Sequence, residues 1–76
     1  MLRIVLIGHK RIACIFEKEG FVYQRIKGDH SIYSKSGVLR PIVIPMYDEV
    51  PVFIIKNLLR TAGIDRDRYF ELLKQC

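Results

Sequence analysis

The chain has no tryptophan, only two cysteines, three prolines and five glycines in 76 residues. Two cysteines, Cys14 and Cys76, are too few for a disulfide framework. Neither has a Cys or His partner at metal-ligand spacing, so no zinc site is expected. Cys14 reads as a core position of a helix and Cys76, the final residue, as a fraying end. Both are expected as reduced thiols of a cytoplasmic protein. Long apolar runs are also missing. The segment Leu2–Ile7 is short and interrupted by Arg3, whereas a secretion signal needs about 7–15 apolar residues and a small-residue cleavage site. A membrane span needs about 20. No membrane association is expected, and Leu2–Ile7 reads as a short strand or an extended entry segment. The length leaves no room for a dinucleotide-binding domain or a large barrel, so residues 1–76 are expected to form one domain with its ligand on a surface.

What is present is a clear alternation of periods. Ile12, Ile15 and Phe16 follow helical spacing within His9–Glu19, and Gly20 stands where a C′ glycine belongs. Val52, Ile55, Leu58, Leu59 and Ala62 form a second helical stripe, opened by Pro51 and stopped by Gly63. Asp65 reads as the N-cap of a last helix with Tyr69, Leu72 and Leu73 on its apolar side. Between the first two helices the period becomes strand-like. Phe21–Ile26, His30–Lys35 and Val38–Ile44 are strand candidates, separated by turns at Lys27-Gly28-Asp29 and Ser36-Gly37. Short turns make the three strands antiparallel. The fold class is therefore α+β, with a three-stranded antiparallel sheet and the helices on one face. Simple alternation puts Phe21, Tyr23 and Arg25 on one face of the first strand. It also puts Ile32 in the core with Phe21, Ile42 and Ile44, and so places His30 toward the core side at a strand end.

The formal charge is +5, from 13 basic and 8 acidic residues. Such a surface suits phosphate contacts that do not depend on sequence, and equally an acidic protein partner. His30 is the leading candidate for chemistry, because imidazole titrates near neutral pH and serves as general acid or base. A hairpin at Gly28-Asp29 brings Arg25 and Lys27 close to it. A base between two cations is what phosphodiester cleavage by a ribose 2′-hydroxyl requires: one group takes the proton and the cations stabilise the charge growing on phosphate. His9 sits at a helix start, where the dipole disfavours its cation, and reads as a surface polar group. Tyr23, Tyr33 and Tyr47 could stack on bases, and Tyr33 and Tyr47 are the candidates for the proton donor to the leaving oxygen.

These residues carry a resemblance. Gly20-Phe21, Arg25-Ile26-Lys27-Gly28-Asp29-His30 with Ile32-Tyr33, Ile42-Val43-Ile44-Pro45 and Ile55–Ile64 together resemble the HicA (YcfA-like) family of small toxins from toxin–antitoxin pairs. The resemblance implies a double-stranded-RNA-binding-like α-β-β-β-α fold. It implies an mRNA interferase that needs no metal or other cofactor and is silenced by a HicB-type antitoxin. The family's catalytic histidine, in a Gly-Ser-His motif, falls on His30, with Asp29 in place of the serine. Where many members carry a further histidine after the third strand, this chain has Met46-Tyr47-Asp48-Glu49. Two other readings are a non-catalytic RNA-binding module of the same fold and an interaction protein whose basic surface exists only for an acidic partner.

Overall fold

A computed structural model describes residues 2–76. Its elements are α1 (His9–Lys18), β1 (Val22–Lys27), β2 (His30–Ser34), β3 (Ile42–Pro45), α2 (Val52–Ala62) and α3 (Arg66–Lys74). The sheet is an antiparallel meander in the order β1-β2-β3, and β3 packs on both α1 and α2. Ile42 and Ile44 of β3 are completely buried beneath the helices, together with Ile12, Ile15 and Phe16 of α1, Ile55 of α2 and Tyr69 and Leu72 of α3. The helices end as their sequences dictate. Gly63 closes α2 at φ 72°, a conformation that costs a residue without Cβ little. The Asp65 side chain caps α3 by accepting from the Arg68 N–H at 2.8 Å. Leu2–Ile7 is an extended entry segment that touches the fold at both ends. Arg66 donates to the Leu2 carbonyl, and Ile7 forms an isolated antiparallel bridge with Val50.

Three expectations are corrected. The third strand begins at Ile42, not Val38: Pro41 has no N–H to give to a ladder, and residues 38–40 turn instead. Cys14 and Cys76 are bonded to each other, with Cα atoms 6.0 Å apart. A pairing across 62 positions leaves no local signal. It arises because α3 packs on α1 and carries the last residue, pinned by its N–H to Leu73, back to the first helix. Finally, simple alternation fails in β1. Tyr23 pairs with Tyr33 and Arg25 with Ile32, so two steps on β1 match one on β2 and Gln24 is an extra, bulged residue. The bulge shifts the phase of the strand. Phe21 and Tyr23 stay on the helix side, with Phe21 packed edge-on against Phe16 and Tyr23 edge-on against Tyr33. Arg25 and Lys27 point to the opposite, open face.

Candidate functional site

The open face is built by strand alternation. Lys27, His30 and Pro45 lie in one cross-strand row, and Arg25, Ile32 and Val43 in the next. On β2 the side chains of Ser31 and Tyr33 go to the helix face, as do Ile42 and Ile44 from β3, while His30, Ile32 and Ser34 go to the open face. Ile32 is therefore buried as expected but on the face opposite Ile42 and Ile44, and His30 is not on the core side. Ile32 is nearly covered even so, because Arg25 and Val43 flank it across the ladder. Arg25, Lys27, His30, Ile32 and Val43 line one shallow concavity of about 410 Å³. Its floor is apolar and its rim is basic.

The turn fixes the histidine. Gly28 and Asp29 are the only residues between the paired Lys27 and His30, and Gly28 has φ 62° while no described non-glycine residue has positive φ. Positive φ at the first central position alone is what a type II′ hairpin demands, hence glycine. The Met46 N–H donates to the Asp29 carbonyl at 2.8 Å, tying the turn to the chain beyond β3. Asp29 Oδ1 lies 3.1 Å from His30 Nδ1, and the imidazole remains 42 % exposed. The carboxylate lies on the Nδ1 side of the ring, and Nε2 is the nitrogen without it as a neighbour. Among the described residues, neither Arg25 nor Lys27 forms a salt bridge. Arg68, in contrast, is tied to Glu19 at 2.8 Å and Glu71 at 3.0 Å. The two cations beside His30 are available to an anionic ligand.

The tyrosine candidates separate. Tyr33 is buried on the helix face and donates to Glu17 Oε2 at 3.3 Å. Burial first, then the Glu17 carboxylate, raises its phenol above the usual value. It is on the wrong side of the sheet to serve His30, which removes it as the proton donor. Tyr47 is exposed and directly follows Met46, whose N–H contacts the turn. His9 is partly buried, and its backbone N–H donates to the Tyr47 carbonyl. Sequence reasoning missed Gln24, since a bulge with a non-glycine residue leaves no mark in composition or period. Among the described residues, no group of three or more His, Cys, Asp or Glu side chains is placed to hold a metal ion. No helix there is long and apolar enough to cross a membrane.

No curated protein matches the chain. A family does: the HicA toxin of bacterial toxin–antitoxin systems matches residues 10–64, which hold α1 from its second residue, the whole sheet, its open face with His30, and α2. The α-β-β-β-α order, followed by a further helix, is that of its double-stranded-RNA-binding-like fold. On this match over most of its length, the chain belongs to the HicA toxin family of bacterial toxin–antitoxin systems.

Proposed function

We propose that the chain is an endoribonuclease toxin that cleaves mRNA without a metal, using His30 as its general base. The observation that carries this reading is the gathering of Arg25, Lys27 and His30 on one exposed concavity. Arg25 and Lys27 hold the scissile phosphate. His30 Nε2 takes the proton of the adjacent ribose 2′-hydroxyl, and the 2′-oxygen attacks phosphorus. The two cations stabilise the charge on the non-bridging oxygens as the 5′-oxygen leaves with a proton. Asp29, at Nδ1, holds the ring orientation and supports the imidazolium that forms, the part a carboxylate plays beside a catalytic histidine. Tyr47 is the remaining candidate for the proton donor. The substrate places the protein in the cytoplasm, where reducing conditions open most disulfides. The site does not depend on that bond, because Cys14 and Cys76 lie among the helices on the other side of the sheet. A HicB-type antitoxin is the partner, and an acidic surface laid over the His30 face would block base and phosphate site together.

The test is His30→Ala. A general base contributes about 10²–10⁴-fold to rate, so cleavage should fall by that factor. The circular dichroism spectrum should stay the same, and so should affinity for a short RNA, since Arg25 and Lys27 remain. Undiminished cleavage by the folded variant would remove His30 as the base. For the partner, hydrogen exchange on the purified pair should show protection over β1 and β2. Protection confined to α3 would place the antitoxin elsewhere.

A further inference from the structure

The open face carries a second kind of polar group. Beyond the basic concavity, Gln24 Nε2 donates to Ser34 Oγ at 2.7 Å across the β1–β2 pair, and weakly to the Val22 carbonyl at 3.5 Å. Gln24 is the bulged residue, so its side chain is set by the same irregularity that shifts the phase of β1. Both hydrogen bonds use the amide nitrogen, which leaves Oε1 as an acceptor. The Ser34 hydroxyl, having accepted from Gln24, keeps its own hydrogen to donate. An acceptor and a donor thus sit side by side on an exposed surface, fixed relative to each other by a short hydrogen bond. Neither group carries charge, so the pair adds little to phosphate binding. The edge of an unpaired nucleobase, with a donor next to an acceptor, complements it.

From this juxtaposition the geometry points to a base-reading subsite: Gln24 and Ser34 contact one unpaired nucleobase of the RNA strand whose phosphate is held at Arg25, Lys27 and His30. The inference rests on the ribonuclease reading and adds what that reading lacks, a source of sequence preference. Phosphate contacts position a strand and carry no sequence information, whereas base-edge contacts specify it. Single-stranded RNA is read in this way, with bases splayed on a surface and hydrogen-bonded along their edges. His30 and Ser34 are four residues apart on β2, about 13 Å along the strand, the reach of a short run of nucleotides. Between them the exposed Val43, paired with the nearly covered Ile32, offers an apolar ledge for an intervening base.

The experiment uses the full chain and two probes. The first is a randomised single-stranded RNA pool, with cleavage junctions sequenced. The second is a set of four short homopolymeric RNAs, with affinity measured on His30→Ala protein so that nothing is cut. Wild type should prefer particular bases at a fixed offset from the junction. Gln24→Ala should flatten that preference by roughly tenfold or more, the scale of one good side-chain–base pair, with the loss falling on junctions that carry the preferred base. Ser34→Ala should flatten it at the same offset. In the homopolymer series, affinities should differ among the four bases and converge when Gln24→Ala is added. An unchanged junction profile in folded Gln24→Ala overturns the subsite. So do equal affinities for all four homopolymers before the change. If wild type cuts nothing, the ribonuclease reading fails, and the homopolymer series still decides whether Gln24 reads a base.

Discussion

The two faces of the sheet divide their work along a single strand. On β2, Ser31 and Tyr33 go to the helices, where Tyr33 packs in the core and Ser31 Oγ reaches the Ile44 carbonyl. His30, Ile32 and Ser34 go to the open side, and the neighbouring β1 is exposed on both its faces, Tyr23 and Ile26 of the helix side included. One face is close-packed around Ile42 and Ile44, and the other keeps cations, an imidazole and an amide within reach of solvent. The difference teaches that stability and function are separable here at the level of alternate residues. The exposed cations and imidazole of the open face have few neighbours to lose. Ile42 and Ile44 on the helix face are fully buried and have no ligand to touch.

The sharpest way to break that comparison is to truncate one residue on each face. On the proposed mechanism His30→Ala loses about 10²–10⁴ in rate and keeps the fold. Ile44→Ala, one position along β3 from Pro45, which pairs with His30, should do the reverse. Removing a fully buried isoleucine costs about 2–5 kcal/mol in transfer and cavity terms. A domain this small has only modest stability to spend. Ile44→Ala should therefore lower the urea midpoint steeply and lose RNA affinity and cleavage in proportion to the unfolded fraction. A His30→Ala protein that unfolds, or an Ile44→Ala protein that keeps its midpoint, would show that the faces are not independent.

A smaller effect is expected from the bond that ties α1 to the end of the chain. Closing a loop of this length restricts the unfolded chain by an amount usually worth about 2–4 kcal/mol. Cys76→Ser should lower the unfolding free energy, read from urea titration, by that much without reductant, and by little when wild type and variant are compared in reductant. Affinity for RNA should be equal in both at concentrations where each is folded, because the bond lies on the helix side. A loss of affinity in the folded variant would mean that α3 communicates with the open face.

Most of the fold was legible because helix periods, caps and turns are local. Ile12, Ile15 and Phe16 mark α1, Pro51 and Gly63 bound α2, and Gly28 marks the hairpin that carries His30. Arg25, Lys27 and His30 could be grouped because a two-residue turn leaves little choice of register. The faces were not legible. Alternation counted from Phe21 carries Arg25 and Lys27 to the helix side. Counted back from Lys27, it carries them to the open side, and only the unmarked bulge at Gln24 reconciles the two. The error in Ile32 has a related origin, since an apolar residue with small exposure looks like core whichever side covers it. The Cys14–Cys76 bond was hidden for another reason, in that it depends on how α3 docks and on nothing near either cysteine.

The smallest effect separates the faces by pH. Tyr33 donates to Glu17 from within the helix side, and such a hydrogen bond contributes about 0.5–1.5 kcal/mol. Tyr33→Phe should cost that much at pH 8 and leave RNA affinity unchanged. Burial and the neighbouring carboxylate raise the phenol of Tyr33 above its ordinary value near 10. The unfolded chain therefore loses this proton at lower pH than the folded one. The stabilising contribution is complete below the unfolded value and is lost as pH rises through the folded value. Phenylalanine has no proton to lose, so the variant escapes this part of the alkaline loss. Tyr69, raised by its own burial, is common to both proteins and cancels in the comparison. The gap between wild type and Tyr33→Phe, read from urea midpoints, should be widest near neutral pH and should narrow above pH about 10. A gap that widens instead would mean that the ionised phenol is better accommodated folded than unfolded, and so that Tyr33 meets solvent or a cation rather than Glu17 and the core.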